Sequence, residues 1–390
     1  MAEESAVVYG ISTEGYQIAS SLVANKVPTI IIDENLQQAI EFTQAIAKNY
    51  RSAKDLLEEE PLLGIKSMEE SISQAKAIFF APKIRKFDDS VKSEIASRLN
   101  SIAKSLSKGS MLFYNLPLGY GGNSENFEIV ERASGLKPDE DFTYVFAPLS
   151  SRTLTAISAG SNSLKEPKKI ATVMKNAGIK SPHILSIPLS ELYFIKETIM
   201  RYSPAVSELE ASRAIADAEE RKEFGKVLNN RDVFLDDLAD GIFDLRVVSA
   251  SLETGEPSLY LASGALRAIE GYVRYLTDEL KSLMKRKTLK ASKTSISIAW
   301  ALDRYEMRGE KMRVYDLLIE RLSDYVGDVV SPPSYEREAG SIQLPVLFAE
   351  KTNLIISCSK AGLAELETMT KNYRNQNIVI LKANLTCEAN

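Results

Sequence analysis

A strand pattern, a helix pattern and a second strand pattern follow one another within about 30 residues at the amino terminus. Ala6 to Tyr9 is a short apolar run that ends at Gly10. Apolar residues then recur at helical spacing, and the β-branched run Thr29 to Ile32 ends at Asp33. Two strands joined by a crossover helix form the βαβ unit, so this segment predicts a parallel sheet.

The same alternation continues through the first half of the chain. Further strands are predicted at Ala77 to Ala81, Met111 to Tyr114 and Tyr144 to Ala147, with helices at Leu36 to Lys48, Ser93 to Leu106 and Phe127 to Ser134. Alternating strands and helices are typical of an α/β fold with a doubly wound sheet of the Rossmann type.

The pattern changes twice farther along the chain. The strand signal almost disappears after Ser190 and returns beyond Lys293, at Ser295 to Ala299, Leu354 to Ser357 and Ile378 to Leu381. We therefore expect three domains, which are a Rossmann-type domain at 1–188, a helical domain at 189–290 and a smaller α/β lobe at 291–390.

One long amphipathic helix is predicted between Leu261 and Met284. Its apolar residues fall on one face at helical spacing, from Leu261 through Ile269 and Leu276 to Leu283. Such a stripe must be buried against a neighbouring helix or against a second subunit. The length of the stripe leads us to predict a homodimer formed through the helical domain.

Composition excludes several classes of function. The chain has 390 residues and a net charge of −5, which argues against a nucleic-acid partner because such binding needs clustered Lys and Arg. Two cysteines and one histidine supply neither a disulfide framework nor a metal site rich in these ligands. No signal peptide and no membrane-spanning run is recognisable, so we expect a cytoplasmic protein without a membrane partner.

The segment Gly10-Ile-Ser-Thr-Glu-Gly15 lies where the first strand turns into the first helix. In a dinucleotide-binding fingerprint, Gly10 would make the tight turn and Gly15 would let the helix pack on the strand. Ser12 stands at the middle glycine, where the pyrophosphate approaches the backbone. Asp33 is placed to accept a hydrogen bond from a ribose hydroxyl. Its charge would repel the 2′-phosphate of NADP, so NAD is the predicted cofactor. A domain that keeps this fold but has lost its ligand remains the alternative.

Two further segments are candidates for the site. The glycine-rich stretch Leu116 to Asn123 follows a predicted strand, and Pro82 ends the neighbouring one. Loops at the carboxyl ends of strands form the ligand crevice of an open α/β sheet. Lys196 begins the helical segment, where a lysine could bind a carboxylate or polarise water, although the residue pattern alone favours a solvated helix lysine.

In their order along the chain, these motifs resemble the UDP-glucose/GDP-mannose dehydrogenase family, the nucleotide-sugar dehydrogenases. Tyr114 to Gly119 is similar to the family's Ser-Thr-Val-Pro-Pro-Gly segment, and Pro82 matches a proline of its Val-Pro-Thr-Pro turn. The resemblance implies that Pro82 and Asn115 line an NAD site and that Lys196 is the catalytic lysine. It also implies a dimerising helical domain and a lobe that binds a nucleotide sugar, which the family oxidises twice through a cysteine thiohemiacetal.

The departures from the family pattern concern the residues that perform this oxidation. The stretch Leu252 to Pro257, which corresponds to the family's Gly-Gly-His-Cys motif, has neither cysteine nor histidine. Leu149 replaces a motif glutamate, and Met200 replaces an asparagine. Without a thiol the aldehyde cannot be held covalently, so the four-electron reaction is not expected. The hypotheses are a divergent NAD-dependent dehydrogenase, a non-catalytic dimeric ligand sensor or scaffold, and a simpler dehydrogenase of the 3-hydroxyacid type.

Overall fold

The computed structural model describes residues 5–58, 65–84, 90–138, 140–150, 153–181, 183–228, 232–326, 329–330, 347–348, 350–372 and 377–389. The chain forms two compact units. The first consists of Met1–Glu197, Val247–Glu253 and Tyr305–Gly309, and the second consists of Thr198–Arg246, Thr254–Arg304 and Glu310–Asn390.

The first unit is built on a nine-stranded sheet. Its strands are β1 (Ala6–Tyr9), β2 (Thr29–Asp33), β3 (Gln38–Phe42), β4 (Ile65–Lys66), β5 (Ala77–Phe80), β6 (Met111–Tyr114), β7 (Thr143–Phe146), β8 (Gly160–Ser161) and β9 (Leu185–Ser186), in the order β4-β3-β2-β1-β5-β6-β7-β8-β9. The five central strands, β2-β1-β5-β6-β7, pair in parallel. The chain order reverses between β1 and β5, and ligands of open α/β sheets bind at such a switch point.

The helices of this part of the chain connect the strands. They are α1 (Thr13–Ala24), α2 (Gln44–Asn49), α3 (Ala53–Glu58), α4 (Met68–Gln74), α5 (Val91–Ala103), α6 (Gly122–Ser134), α7 (Pro167–Asn176) and the start of α8 (Ile187–Arg213). The predicted α/β fold class, with a Rossmann-type sheet in the amino-terminal part, is confirmed.

The helix predicted at Leu36 to Lys48 is wrong. That segment forms β3, which pairs antiparallel with β2, and then the short helix α2. The hairpin is fixed by its turn, because the Asp33 carboxylate accepts hydrogen bonds from the backbone N–H groups of Asn35 and Leu36. Gln37 completes the turn in the left-handed region, with φ of 54°. Local side-chain bonds of this kind compete with helix formation.

Aromatic side chains are stacked along one face of the central strands. The ring of Phe80 lies 5.6 Å from that of Tyr9 and 5.2 Å from that of Tyr114, measured between centroids, and both pairs are close to parallel. Tyr114 is in turn 6.2 Å from Tyr144. All four rings are buried. Cross-strand aromatic pairs stabilise a sheet beyond their burial, so the row holds the strands in register next to the edge where they end.

The rest of the chain adds the helices α9 (Ala218–Gly225), α10 (Leu235–Ala239), α11 (Gly241–Ser251), α12 (Pro257–Arg286), α13 (Glu310–Ser323) and α14 (Lys360–Asn372), with a 3₁₀ turn at Ala291–Lys293. Its strands are β10 (Thr294–Ala299), β11 (Val329–Val330), β12 (Thr352–Ser357) and β13 (Ile378–Lys382), which form a parallel sheet in the order β11-β10-β12-β13. The second unit thus combines helices with a smaller parallel sheet.

The apolar stripe of α12 is buried within the second unit. The helix packs against α10 and α13. The buried members of the stripe are Ala265, Ile269, Tyr272, Val273, Leu276, Leu280 and Leu283, whereas Leu261 is 53% exposed. The chain's own helices therefore cover the stripe from which the homodimer was predicted, so a dimer has to rest on other residues. In the part of the chain that the structure describes, no helix is long and apolar enough to cross a membrane.

Candidate functional site

Gly10 and Gly15 form the turn between β1 and α1 as the sequence predicts. Gly10 has a φ of 116°, and a Cβ atom there would lie 2.3 Å from the carbonyl oxygen of Ala81. A Cβ atom on Gly15 would lie 2.3 Å from the carbonyl oxygen of Gly10. Only glycine fits either position, and the turn brings the start of α1 against the end of β5.

Ser12 is fully buried and makes its hydrogen bonds inside the loop. Its hydroxyl donates to the carbonyl oxygen of Ala81 at 2.8 Å and accepts from the N–H of Gly15 at 2.9 Å. Ser12 is therefore the N-cap of α1, and one of the N–H groups at the helix start is bound by the cap itself.

Glu34 occupies the loop from the side of β2. Its Oε2 accepts a hydrogen bond from the N–H of Ile11 at 3.0 Å, and its Oε1 accepts from the N–H of Lys83 at 3.1 Å. The guanidinium of Arg98 lies 3.6 Å from Oε1. The carboxylate is 2% exposed and bridges the loops that follow β1 and β5. The Glu34 carboxylate therefore accepts hydrogen bonds from backbone N–H groups that a bound anion would otherwise use.

A distant stretch, Tyr305–Gly309, also belongs to the first unit and lies on the same loop. The N–H of Thr13 donates to the carbonyl oxygen of Tyr305 at 2.7 Å. The N–H of Met307 donates to the Glu14 carboxylate at 2.8 Å, and the carbonyl oxygen of Met307 accepts from Ile84 at 2.9 Å. We call residues 305–309 the strap.

Asp33 holds the β2–β3 turn with the carboxylate that was predicted to bind a ribose. Its Oδ1 accepts from Asn35 at 2.7 Å and from Leu36 at 3.1 Å, and the residue is 5% exposed. With Oδ1 bound to two backbone N–H groups, a ribose hydroxyl would have to donate to the other oxygen, Oδ2.

Pro82 and Asn115 lie at the carboxyl ends of β5 and β6. A Cβ atom on Gly10 would lie 2.5 Å from the Cα of Pro82, so Pro82 packs directly on the glycine turn. Asn115 is fully buried and donates through Nδ2 to the carbonyl oxygen of Ala147 at 3.0 Å. Among the described residues, its Oδ1 has no hydrogen-bond partner. Leu149, at the position of the family's glutamate, is fully buried and offers the site only its backbone.

The second glycine-rich loop leads into α6, and a carboxylate lies at the start of that helix too. Glu191 accepts from the N–H of Gly121 at 3.0 Å, from the N–H of Asn123 at 3.1 Å and from the Asn123 amide at 2.7 Å. The oxygen of that amide accepts from the hydroxyl of Tyr144 at 2.8 Å. Burial raises the pKa of Tyr144 well above its usual value, so the hydroxyl stays a donor. Glu191 is 3% exposed.

Lys196 points to the surface. Its side chain is 59% exposed, and its ammonium binds Glu197 at 2.6 Å and lies 5.4 Å from the ring centroid of Tyr193. The hydrogen bond to Glu197 raises the pKa of Lys196. A general base needs the opposite shift, since it must be deprotonated near neutral pH. These contacts are all within α8.

Cysteine thiols and bound metal ions are two other means by which a site can perform such chemistry. Both cysteines of the chain, Cys358 and Cys387, are buried in the second unit. Burial raises the pKa of Cys358 well above its usual value and that of Cys387 to about 12. Across the described residues there is no group of three or more His, Cys, Asp or Glu that could hold a metal ion.

The loop does not fit a dinucleotide pyrophosphate as it is folded. Such a ligand is bound by free N–H groups at the start of the helix that follows β1. Here the N–H of Ile11 is bound by Glu34, and that of Thr13 by the carbonyl oxygen of Tyr305. A pyrophosphate would have to displace both oxygens, one of them charged.

Sequence reasoning missed Glu34, Glu191 and the strap. Glu34 follows Asp33 directly, so the acidic pair at the end of a strand was a signal, but only Asp33 was predicted as a site residue. Successive residues of a strand point to opposite sides, and the sequence does not say which side faces the loop. Glu191 and the strap gave no local signal because their partners lie far away along the chain.

No family model and no curated protein matches the chain. Solved structures do match along its length. The UDP-D-ManNAc dehydrogenase of Pyrococcus horikoshii has a TM-score of 0.67 and 13% identity, over 98% of this chain and 96% of that one. The UDP-N-acetyl-mannosamine dehydrogenase of Staphylococcus aureus has a TM-score of 0.60 and 13% identity, over 99% of this chain and 96% of that one.

A UDP-glucose dehydrogenase from Pyrobaculum islandicum matches with a TM-score of 0.59 and 14% identity, over 98% of this chain and 94% of that one. Identities this low carry information about the fold and not about activity. The resemblance seen in the sequence is confirmed at this level, and the chain therefore has the fold of the nucleotide-sugar dehydrogenases.

Proposed function

We propose that the chain is a divergent, non-catalytic relative of the nucleotide-sugar dehydrogenases that acts as a ligand-sensing or scaffold protein. The observation that carries the proposal is the state of its thiols. Cys358 and Cys387 are the only cysteines, and both are buried in the second unit with raised pKa values. A thiohemiacetal forms from an accessible thiolate, and this chain offers none.

Two further positions support the loss of oxidation chemistry. Leu149 has no functional group with which to hold a water or a proton. Lys196 is exposed, paired with Glu197 and shifted towards the protonated state. Because neither cysteine is accessible and Lys196 is held protonated, we assign the fold a binding role. The ligand class that the fold suggests is a nucleotide sugar, and we retain the cytoplasmic location and the homodimer as parts of the proposal.

The second candidate is an NAD-dependent dehydrogenase with a simpler, two-electron reaction. It is favoured by the retained glycines Gly10 and Gly15, which preserve the turn of a dinucleotide-binding loop. It is also favoured by the buried Oδ1 of Asn115, which has no partner in the described residues and could accept a ligand hydroxyl. In this reading Glu34 and the strap must leave the loop before NAD binds.

The two candidates differ in turnover. We would titrate the protein with UDP- and GDP-sugars by calorimetry, and then follow NADH formation with the same panel and with small hydroxy acids. The proposal expects binding of a nucleotide sugar and no NADH. Formation of NADH that Lys196→Ala abolishes would establish the dehydrogenase instead. Activity on hydroxy acids alone would identify the simpler type.

A further inference from the structure

We infer that Glu34 is an internal substitute for a bound phosphate: its carboxylate occupies the anion subsite between the loops after β1 and β5 and excludes a pyrophosphate. This inference rests on loop contacts alone and does not depend on the proposed function. It is tested with inorganic anions and stability measurements, so its failure would leave the question of turnover untouched.

The contacts of Glu34 are those of a bound anion. Two backbone N–H groups, from Ile11 and Lys83, donate to its two oxygens at 3.0 and 3.1 Å. The guanidinium of Arg98 lies 3.6 Å from the same carboxylate, donates to the carbonyl oxygen of Lys83 at 2.8 Å and pairs with Glu94 at 2.6 Å. Charge-assisted bonds from backbone N–H groups and arginine are the means by which proteins hold phosphate and carboxylate groups.

The surrounding charges work against a second anion. Glu14, Asp33 and Glu34 are all carboxylates of the same loop region, and each is at most 8% exposed. Like charges in a site with little water repel strongly, because the effective dielectric constant is far below that of water. A pyrophosphate entering with Glu34 in place would add two negative charges to this cluster.

The strap completes the enclosure. The carbonyl oxygen of Tyr305 binds the N–H of Thr13, and Met307 bridges Glu14 and Ile84. These contacts bind the N–H of Thr13 and the Glu14 carboxylate at the start of α1. The loop is thus satisfied by oxygens of its own chain, which explains how a dinucleotide-type turn can persist without a dinucleotide.

The inference predicts chemical rescue. Replacing Glu34 by alanine leaves the N–H groups of Ile11 and Lys83 without their acceptor, next to Arg98. A small anion should then bind where the carboxylate was. We would measure the thermal unfolding midpoint of wild type and Glu34→Ala in sodium formate, sodium phosphate and sodium chloride at equal ionic strength, so that general screening cancels.

Glu34→Ala should be less stable than wild type in chloride and should regain stability, in a saturable manner, in formate or phosphate. Wild type should show only the general, non-saturable stabilisation that phosphate gives to proteins, and this response is subtracted from that of the variant. The matched control is Glu41→Ala, because the Glu41 carboxylate is 56% exposed and pairs with the surface ammonium of Lys66 at 3.2 Å. It should show no specific response to formate. Equal responses of Glu34→Ala to all salts would overturn the inference.

Calorimetry with inorganic pyrophosphate gives a second readout. Pyrophosphate should bind Glu34→Ala at least about tenfold more tightly than wild type, which corresponds to ~1.4 kcal/mol. Tight, saturable binding of pyrophosphate to wild type would contradict the inference directly. If Glu34→Ala does not fold in chloride, its refolding is compared in formate. Recovery of folded protein in formate supports the internal anion, and failure in both salts argues against it.

Discussion

Glycines and buried carboxylates set the geometry where the strands of the first unit end. The glycines let backbone segments approach more closely than any side chain allows, as at Gly10 and Gly15. The carboxylates of Glu34 and Glu191 then bind the N–H groups exposed by the two turns. Removal of either kind of residue leaves a buried steric conflict or buried donors without acceptors, and both are costly.

Gly10→Ala tests the close approach at the turn. Its Cβ atom would lie 2.3 Å from the Ala81 carbonyl oxygen at a φ of 116°, so we expect a loss of about 3 kcal/mol in the free energy of unfolding. Urea denaturation measures this loss. Gly264→Ala in α12 is the control, because a Cβ atom there would meet nothing within 4 Å beyond its chain neighbours and the backbone of its own helix. There alanine should stabilise by up to ~1 kcal/mol.

Glu191→Ala tests the carboxylate at the start of α6. The substitution removes three hydrogen bonds and leaves the N–H groups of Gly121 and Asn123 without their acceptor. We expect a loss of about 3 kcal/mol in the free energy of unfolding, measured in urea. Lys196→Ala, on the exposed side of the same helix, should unfold like wild type. Equal effects of the two substitutions would be inconsistent with this role of Glu191.

At the scale of elements, the sequence predicted what local patterns determine. The strands β1, β2, β5, β6 and β7 are short apolar runs, and their positions follow from composition and spacing alone. The hairpin strand β3 was missed because its outcome depends on one side chain, Asp33, capping its own turn. The long α12 was predicted, but whether its stripe faced the chain or a partner depends on tertiary packing, which periodicity does not encode.

The burial of the thiols predicts inert cysteines in the native protein. Cys358 is fully buried and Cys387 is 6% exposed. Alkylation by iodoacetamide at neutral pH should be negligible until denaturant is added, when both thiols react. Mass spectrometry of the labelled chain gives the number modified. Rapid labelling of either cysteine in the native state would contradict this arrangement and would weaken the proposed loss of catalysis.

The raised pKa of Cys387 also predicts a dependence of stability on pH. Burial raises the pKa from 9.0 to about 12, with Tyr272 as the hydrogen-bond partner. The folded state therefore holds the proton more tightly than the unfolded state. Its contribution is fully present below pH 9 and is lost as the pH rises towards 12. Unfolding curves of Cys387→Ala should show a smaller loss of stability over this range than wild type.

At the scale of the whole molecule, long-range contacts limit prediction most. Met307 and Glu14 are 293 positions apart and are joined by a single hydrogen bond, which leaves no trace in either local sequence. The glycines of the loop were predictable because turn, helix and strand are adjacent in the chain. The oxygens that bind the loop were not, since they arrive from β2 and from the strap.

The oligomeric state is the prediction that belongs to this scale. We expect light scattering at micromolar concentration to give twice the chain mass of 43.2 kDa. With the α12 stripe covered, Tyr260 and Leu261 at the start of that helix are two adjacent exposed apolar residues available for contact. The double substitution Tyr260→Ser and Leu261→Ser should shift the mass towards one chain. A wild-type mass of one chain would remove the dimer from the proposal.

The strap has a consequence for how the chain is made. The first unit is not continuous, because its last segment is Tyr305–Gly309. A nascent chain that has emerged through Glu197 holds the whole nine-stranded sheet but lacks the oxygen that binds Thr13. The amino-terminal unit is therefore completed only when translation has passed Gly309. Folding of the first unit therefore depends on the synthesis of a late segment. A shortened chain that ends before the strap should not complete this unit, even after long incubation.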